Sequence, residues 1–167
     1  MSKFFHLVIV ILFGINSSLI FPQTIEERID FLNKVDKSLL EDSIGAITWS
    51  IFVQPPETAK KHSNLLLKKT KEIGIKANLI AKSFSLNYEK TNYIAKLDSI
   101  YNTAKENDLT GIMAGVLVTK SDYYKKNEKY DSAMVATLEA QNIYEDASGI
   151  DGFVTCRQII GDLYFTA

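Results

Sequence analysis

YDSAMVATLEAQNIYEDA, residues Tyr130–Ala147, sets Ala133, Ala136, Ala140, Ile143 and Ala147 at spacings of three and four. That recurrence draws one stripe along a helix. The stripe is built of small side chains, which let a second helix backbone come close. Downstream, IGDLYF (Ile160–Phe165) frames Gly161 between Ile160 and Tyr164, again a small residue among large apolar ones. A helix offering Gly to a helix offering Ala, repeated, points to an array of helical hairpins.

Working outward, the chain repeats itself. Gly-Ile occurs at Gly74-Ile75, Gly111-Ile112 and Gly149-Ile150, at separations of 37 and 38 residues. Ala59, Ala95 and Ala133 open the second helix of successive units, at separations of 36 and 38. Tyr88, Tyr124 and Tyr164 close the first helix, at 36 and 40. Three markers sharing one period define units of two antiparallel helices: 42–73, 75–108, 112–147, and a half unit from Asp151 onward.

Before the repeats, Lys3 precedes the apolar run Phe4–Phe13, and small polar residues follow it. This is the anatomy of a secretory signal peptide spanning 1–23, with an uncleaved membrane anchor as the competing reading. No cysteine follows the run, which excludes a lipoprotein anchor. Thr24 and Glu27 have the spacing of a capping box. Ile25, Ile29, Leu32 and Leu39, flanked by Val35, form the stripe of a first helix expected to end before Gly45, so that 24–41 is an N-terminal capping helix. AITWSIFV (Ala46–Val53) has strand-like apolarity, but a short helix is the reading adopted. Pro55 and Pro56 stop it and start the next helix, expected from about Glu57 to Ile73.

Length allows one domain with a real core, or three to four units of a helical repeat. Of 167 residues, 46% are hydrophobic and 23% charged, with only three prolines. The formal net charge of −1 gives no reason to expect nucleic acid. One cysteine, Cys156, excludes an internal disulfide and a cysteine-built metal cage. Charge is uneven: Glu57–Asp98 holds nine Lys against four acids, whereas Tyr130–Ala167 holds six acids against Arg157. Solvated helix faces of opposite sign account for this, with a partner-selecting patch as the other reading.

No catalytic motif emerges. Once the leader is set aside, His62 is the only histidine, and no motif supplies a nucleophile or an orienting carboxylate, so a half-buried structural role is expected. Cys156 reads as a buried small hydrophobe. The cluster Lys68, Lys69 and Lys71 lacks interleaved aromatics and reads as a solvated face. GIMAG (Gly111–Gly115) and GIDG (Gly149–Gly152) lack the ending of a phosphate loop and read as inter-helix turns. Tyr88, Tyr123, Tyr124, Tyr130, Tyr144, Tyr164 and Phe165 sit at helical spacing and are expected mostly in the core.

The repeat unit resembles the tetratricopeptide repeats over about Ser43–Ala167. Gly161 and Tyr164 match the small residue and Tyr of that family's first helix. Tyr124 followed by Ala133 and Ala140 matches the rest of its pattern. Ser121 stands where the family prefers Gly, Asn102 where it prefers Ala, and the period runs long. With a signal peptide and a Gly-Ile opening, the chain is similar to the arrays that in many bacterial proteins precede a membrane helix and a kinase or regulator module.

The resemblance implies a right-handed superhelical stack of antiparallel hairpins whose concave surface, lined by first helices, binds peptides or partner segments. By position in the repeat, Lys82, Asp122, Lys125, Lys126, Gln158 and Asp162 are the candidate contact residues. The expected function is a protein–protein interaction or sensory module in the cell envelope, without a cofactor or metal. The rival is a small-ligand binder or enzyme using the same groove. Membrane contact is expected only through an uncleaved N-terminal segment or a part of the protein beyond Ala167. The apolar side chains of the last helix, with no second helix to cover them, imply fraying after Thr155 or self-association.

Overall fold

The computed structural model describes residues 24–89 and 91–166, and all of its regular structure is helical. Eight α-helices follow one another: α1 (Ile25–Phe31), α2 (Leu40–Phe52), α3 (Pro56–Ile73), α4 (Ile75–Ser85), α5 (Tyr93–Glu106), α6 (Thr110–Lys126), α7 (Tyr130–Asp146) and α8 (Ile150–Thr166). The expected leader, 1–23, lies outside the described residues. None of the described helices is long and apolar enough to cross a membrane. The chain divides within α4, between Ala77 and Asn78, into two compact units.

In the first unit α1, α2 and α3 pack on one another. Thr24 caps α1 with the expected box: its hydroxyl accepts from the Glu27 N–H at 3.1 Å, and its own N–H donates to Glu27 at 2.9 Å. The first helix does not run on towards Gly45, however. It tightens into a 3-10 turn at Leu32–Lys34 and breaks, because Asp36 Oδ1 accepts from both the N–H and the hydroxyl of Ser38. Such a local side-chain turn competes with the helix backbone. Gly45 therefore falls inside α2, and Ala46–Phe52 is helical rather than extended. The buried stripe of α2 is Ile44, Ile47 and Ile51; Ile29 and Leu32 of the α1 segment and Ala59 and Leu66 of α3 are buried too, in elements that pack on one another. Each such Ile or Leu contributes on the order of 1.5–3 kcal/mol on burial. The opposite side of the end of α2 is apolar too, and open: Trp49 is 66% exposed, Phe52 58% and Val53 66%. Gly74 closes α3 at φ +150°, a backbone region that residues with a Cβ avoid.

The second unit is a run of antiparallel hairpins. Lys120 on α6 pairs with Asp98 on α5, and Tyr123 lies on Tyr93, so register falls on one helix as it rises on the other. Ser121 meets Ala133 and Thr137, while Leu117 joins Ala140 and Cys156, which gives α6, α7 and α8 the same sense of alternation. Leu79, Leu86, Leu97, Ile100, Ala104 and Val116 form a second core cluster.

The three reversals are alike. Asp108, Glu128 and Ser148 stand at φ 55°, 58° and 55°. In each, the next residue's N–H reaches back to Ala104, Tyr124 or Tyr144, closing the αL helix-end motif that satisfies free carbonyls. GIMAG is therefore not a turn: Gly111 and Gly115 lie inside α6, and Gly152 of GIDG lies in the first turn of α8.

Of the stripe in α7, Ala133, Ala136 and Ala140 are buried, Ile143 is half-buried and Ala147 is exposed. Ala95 is exposed as well, and its place as the packed small residue of α5 is taken by Ala104. Tyr164 and Phe165, expected among the mostly core aromatics, are exposed, whereas Cys156 and Leu163 carry the buried side of α8.

Candidate functional site

α6 and α8 touch each other as well as sharing α7 as a neighbour. Lys125 Nζ on α6 lies 3.4 Å from Asp162 Oδ2 on α8. Asp122 sits one turn before Lys125 on α6, and Gln158 one turn before Asp162 on α8, so the four form a polar strip along the two helices. Asp122, Lys126 and Gln158 are exposed. Lys82 stands apart: it is half-buried on α4, its carbonyl accepts from Ser85 Oγ at 2.8 Å, and no ion pair or hydrogen bond among the described residues joins it to the other five.

At the α5 edge of the strip an aromatic groove of about 580 Å³ opens, lined by Glu89, Asn92, Tyr93, Ile94, Ala95 and Tyr123. The rings of Tyr93 and Tyr123 stack at 5.2 Å and 21°, and Tyr124 meets Tyr123 edge-on at 6.0 Å. Burial pushes the Tyr93 phenol above its ordinary pKa, helped by the Asp122 carboxylate and by Tyr123. Glu89 is held by an ion pair with Lys96. Tyr93 was not singled out from sequence, and Tyr123 was expected in the core. The signal was there: the two residues lie equally far along the chain from the reversal at Asp108, as partners across an antiparallel hairpin must.

In the first unit, His62 is only 5% exposed and is bridged on both sides. Its Nε2 lies 2.6 Å from Glu26 Oε1 on α1, and its Nδ1 lies 2.6 Å from Gln54 Oε1 in the α2–α3 connection. A carboxylate only accepts, so Nε2 carries a proton. The orienting carboxylate that no sequence motif supplied is thus Glu26, distant in sequence and brought in by α1. The hydrogen bond from His62 holds the Glu26 carboxyl below the usual range. Ser63 Oγ, next along α3, is buried, and no hydrogen bond among the described residues joins it to this imidazole. The bridge fastens helices. Cys156 is buried, which raises its thiol pKa. Among the described residues no group of three His, Cys, Asp or Glu could hold a metal ion.

The strip and groove set aromatic faces, hydrogen-bonding groups and an ion pair side by side. No family model, no curated protein and no solved structure matches the chain.

Proposed function

We propose that the chain is a helical-repeat module of tetratricopeptide type, exported to the bacterial cell envelope, that holds a protein or peptide partner along α6 and α8. The observation that carries this reading is the Lys125–Asp162 contact, which joins equivalent helices 37 residues apart, one period of the sequence. A second contact of that kind, Tyr101 to Glu139, spans 38 residues between the second helices of units 75–108 and 112–147. Ser121, where the repeat family prefers Gly, fits because its hydroxyl donates to Ala133 O at 3.0 Å and pairs with Thr137 Oγ1 at 2.6 Å. The polar hydroxyl is buried with partners, so the close helix approach is kept. In this reading the module is the sensory or scaffold part of a signalling protein. Asp122, Lys125, Gln158 and Asp162 meet polar groups of the partner, and Tyr93 and Tyr123 take an aromatic or proline side chain.

A photo-crosslinking residue placed at Asp122 or Gln158 in the native cell tests this. Adducts with one partner are expected from those positions and not from Val135, an exposed residue of α7. Equal adducts from Val135, or none from Asp122 and Gln158, would overturn it.

A further inference from the structure

The end of α2 carries Trp49, Phe52 and Val53 into solvent, with the Trp49 and Phe52 rings stacked at 5.9 Å and 25°. This is the same end of the unit at which the described chain begins. Two bridges fix that: Glu26 reaches Gln54 through His62, and Arg28 Nη1 donates to Ser50 Oγ at 2.9 Å. Ser50 and Gln54 belong to the same stretch of chain as the aromatic residues, so the first turn of α1 stands level with the patch, on the packed side of α2. The segment leading into that turn is residues 1–23, with its apolar run Phe4–Phe13.

We infer that Trp49, Phe52 and Val53 rest in the headgroup region of a lipid bilayer, at the end of the unit that residues 1–23 precede in the chain. Tryptophan and other aromatic rings favour this zone, where an apolar body is buried while a polar edge stays wet. One apolar segment gives a tether, and a second apolar contact at the same end fixes the orientation of the unit on the surface. The proposal rests on the envelope reading and takes residues 1–23 as retained, the second of the two readings of that segment. Charge supplies little of the attraction. Glu26, Glu27 and Glu57 at this end stand against Arg28, Lys60 and Lys61. Neutral phosphatidylcholine vesicles are therefore the probe.

Trp49 is the only tryptophan in the chain and reports on its own surroundings. The full chain is reconstituted into vesicles whose lipids carry bromine near the headgroup, then floated on a density gradient. Flotation with quenching of Trp49 emission is expected, and Phe52→Glu with Val53→Glu should abolish the quenching while flotation persists. Flotation without quenching would overturn the aromatic contact and leave the N-terminal segment in the membrane. A failure to float would overturn both. A concentration-dependent blue shift without vesicles would assign the patch to a second copy of the chain and overturn the lipid contact.

Discussion

Tyr101 on α5 donates a hydrogen bond of 2.8 Å to Glu139 Oε1 on α7, two helices further along the chain. Partial burial of the phenol, and then the Glu139 carboxylate, hold the Tyr101 pKa above its ordinary value. The contact is exposed, and the groups that fix the spacing of these helices are the small buried ones next to it.

Ala140, the neighbour of Glu139, is fully buried against Leu117 and Cys156. Ala140→Glu would overpack that site and bury a charge without a partner, a loss of at least about 2–4 kcal/mol. Glu139→Ala removes one exposed hydrogen bond, about 0.5–1 kcal/mol. Thermal melts of the two variants should rank them in that order; the reverse ranking would mean that α7 turns another face to its neighbours.

Gly152 leaves space for Tyr144. A Cβ there would lie 2.4 Å from the Tyr144 ring. Gly152→Ala is expected to cost roughly 1–3 kcal/mol through displacement of the ring. In the background of Tyr144→Ala the same change should cost far less, a non-additivity that a double-mutant cycle measures. Full additivity would show that the ring and the glycine do not compete for space.

The reversals offer stabilising changes. Glu128 holds a left-handed backbone at φ 58° without being glycine. Glu128→Gly relieves a conformation that costs other residues roughly 1–2 kcal/mol, and part of that is offset by the greater freedom of glycine when unfolded. A net gain of about 0.5–1 kcal/mol is expected, seen as a raised midpoint in urea unfolding. A lowered midpoint would mean that the Glu128 side chain contributes more than its backbone strain removes.

These turns also show what could be read from sequence and what could not. The period, the hairpins and the buried Ala133, Ala136 and Ala140 follow from spacing, because small residues facing a helix must recur with its pitch. Of the two glycine-marked turns, GIDG does start in a reversal, at Gly149, whereas GIMAG lies inside α6; the left-handed residues are Asp108, Glu128 and Ser148, where backbone hydrogen bonds closing the helix end override residue preference. The break at Val35–Asp36 depends on one side chain capturing Ser38, a choice that hydrophobic periodicity does not register. Glu26 meets His62 across 36 residues, and that pairing exists only once α1 has docked. Position in the repeat named both Lys125 and Asp162, which stand 3.4 Å apart, and also Lys82, which no hydrogen bond or ion pair among the described residues joins to them.

Acid should loosen α1 through Glu26. Its carboxyl titrates below the usual range because His62 donates to it, so the folded state favours the ionised form. The stabilisation is present above the ordinary carboxylate pKa and is lost as pH falls through the lowered value. Hydrogen exchange of α1 amides, corrected for intrinsic rates, should lose protection over that acid window. Glu26→Gln should show lower protection at neutral pH and a flatter acid response; an unchanged profile would mean that the bridge does not anchor the helix.

Lys125 and Asp162 already neutralise one another, and that shapes how any partner settles on the strip. A carboxylate arriving at Lys125 must displace Asp162, and an ammonium arriving at Asp162 must displace Lys125. Binding is then an exchange of one ion pair for another, with little net release of small ions. Affinity on this strip should vary weakly with ionic strength, and discrimination between partners should follow the geometry of the exchanged pair more than the total charge of either molecule.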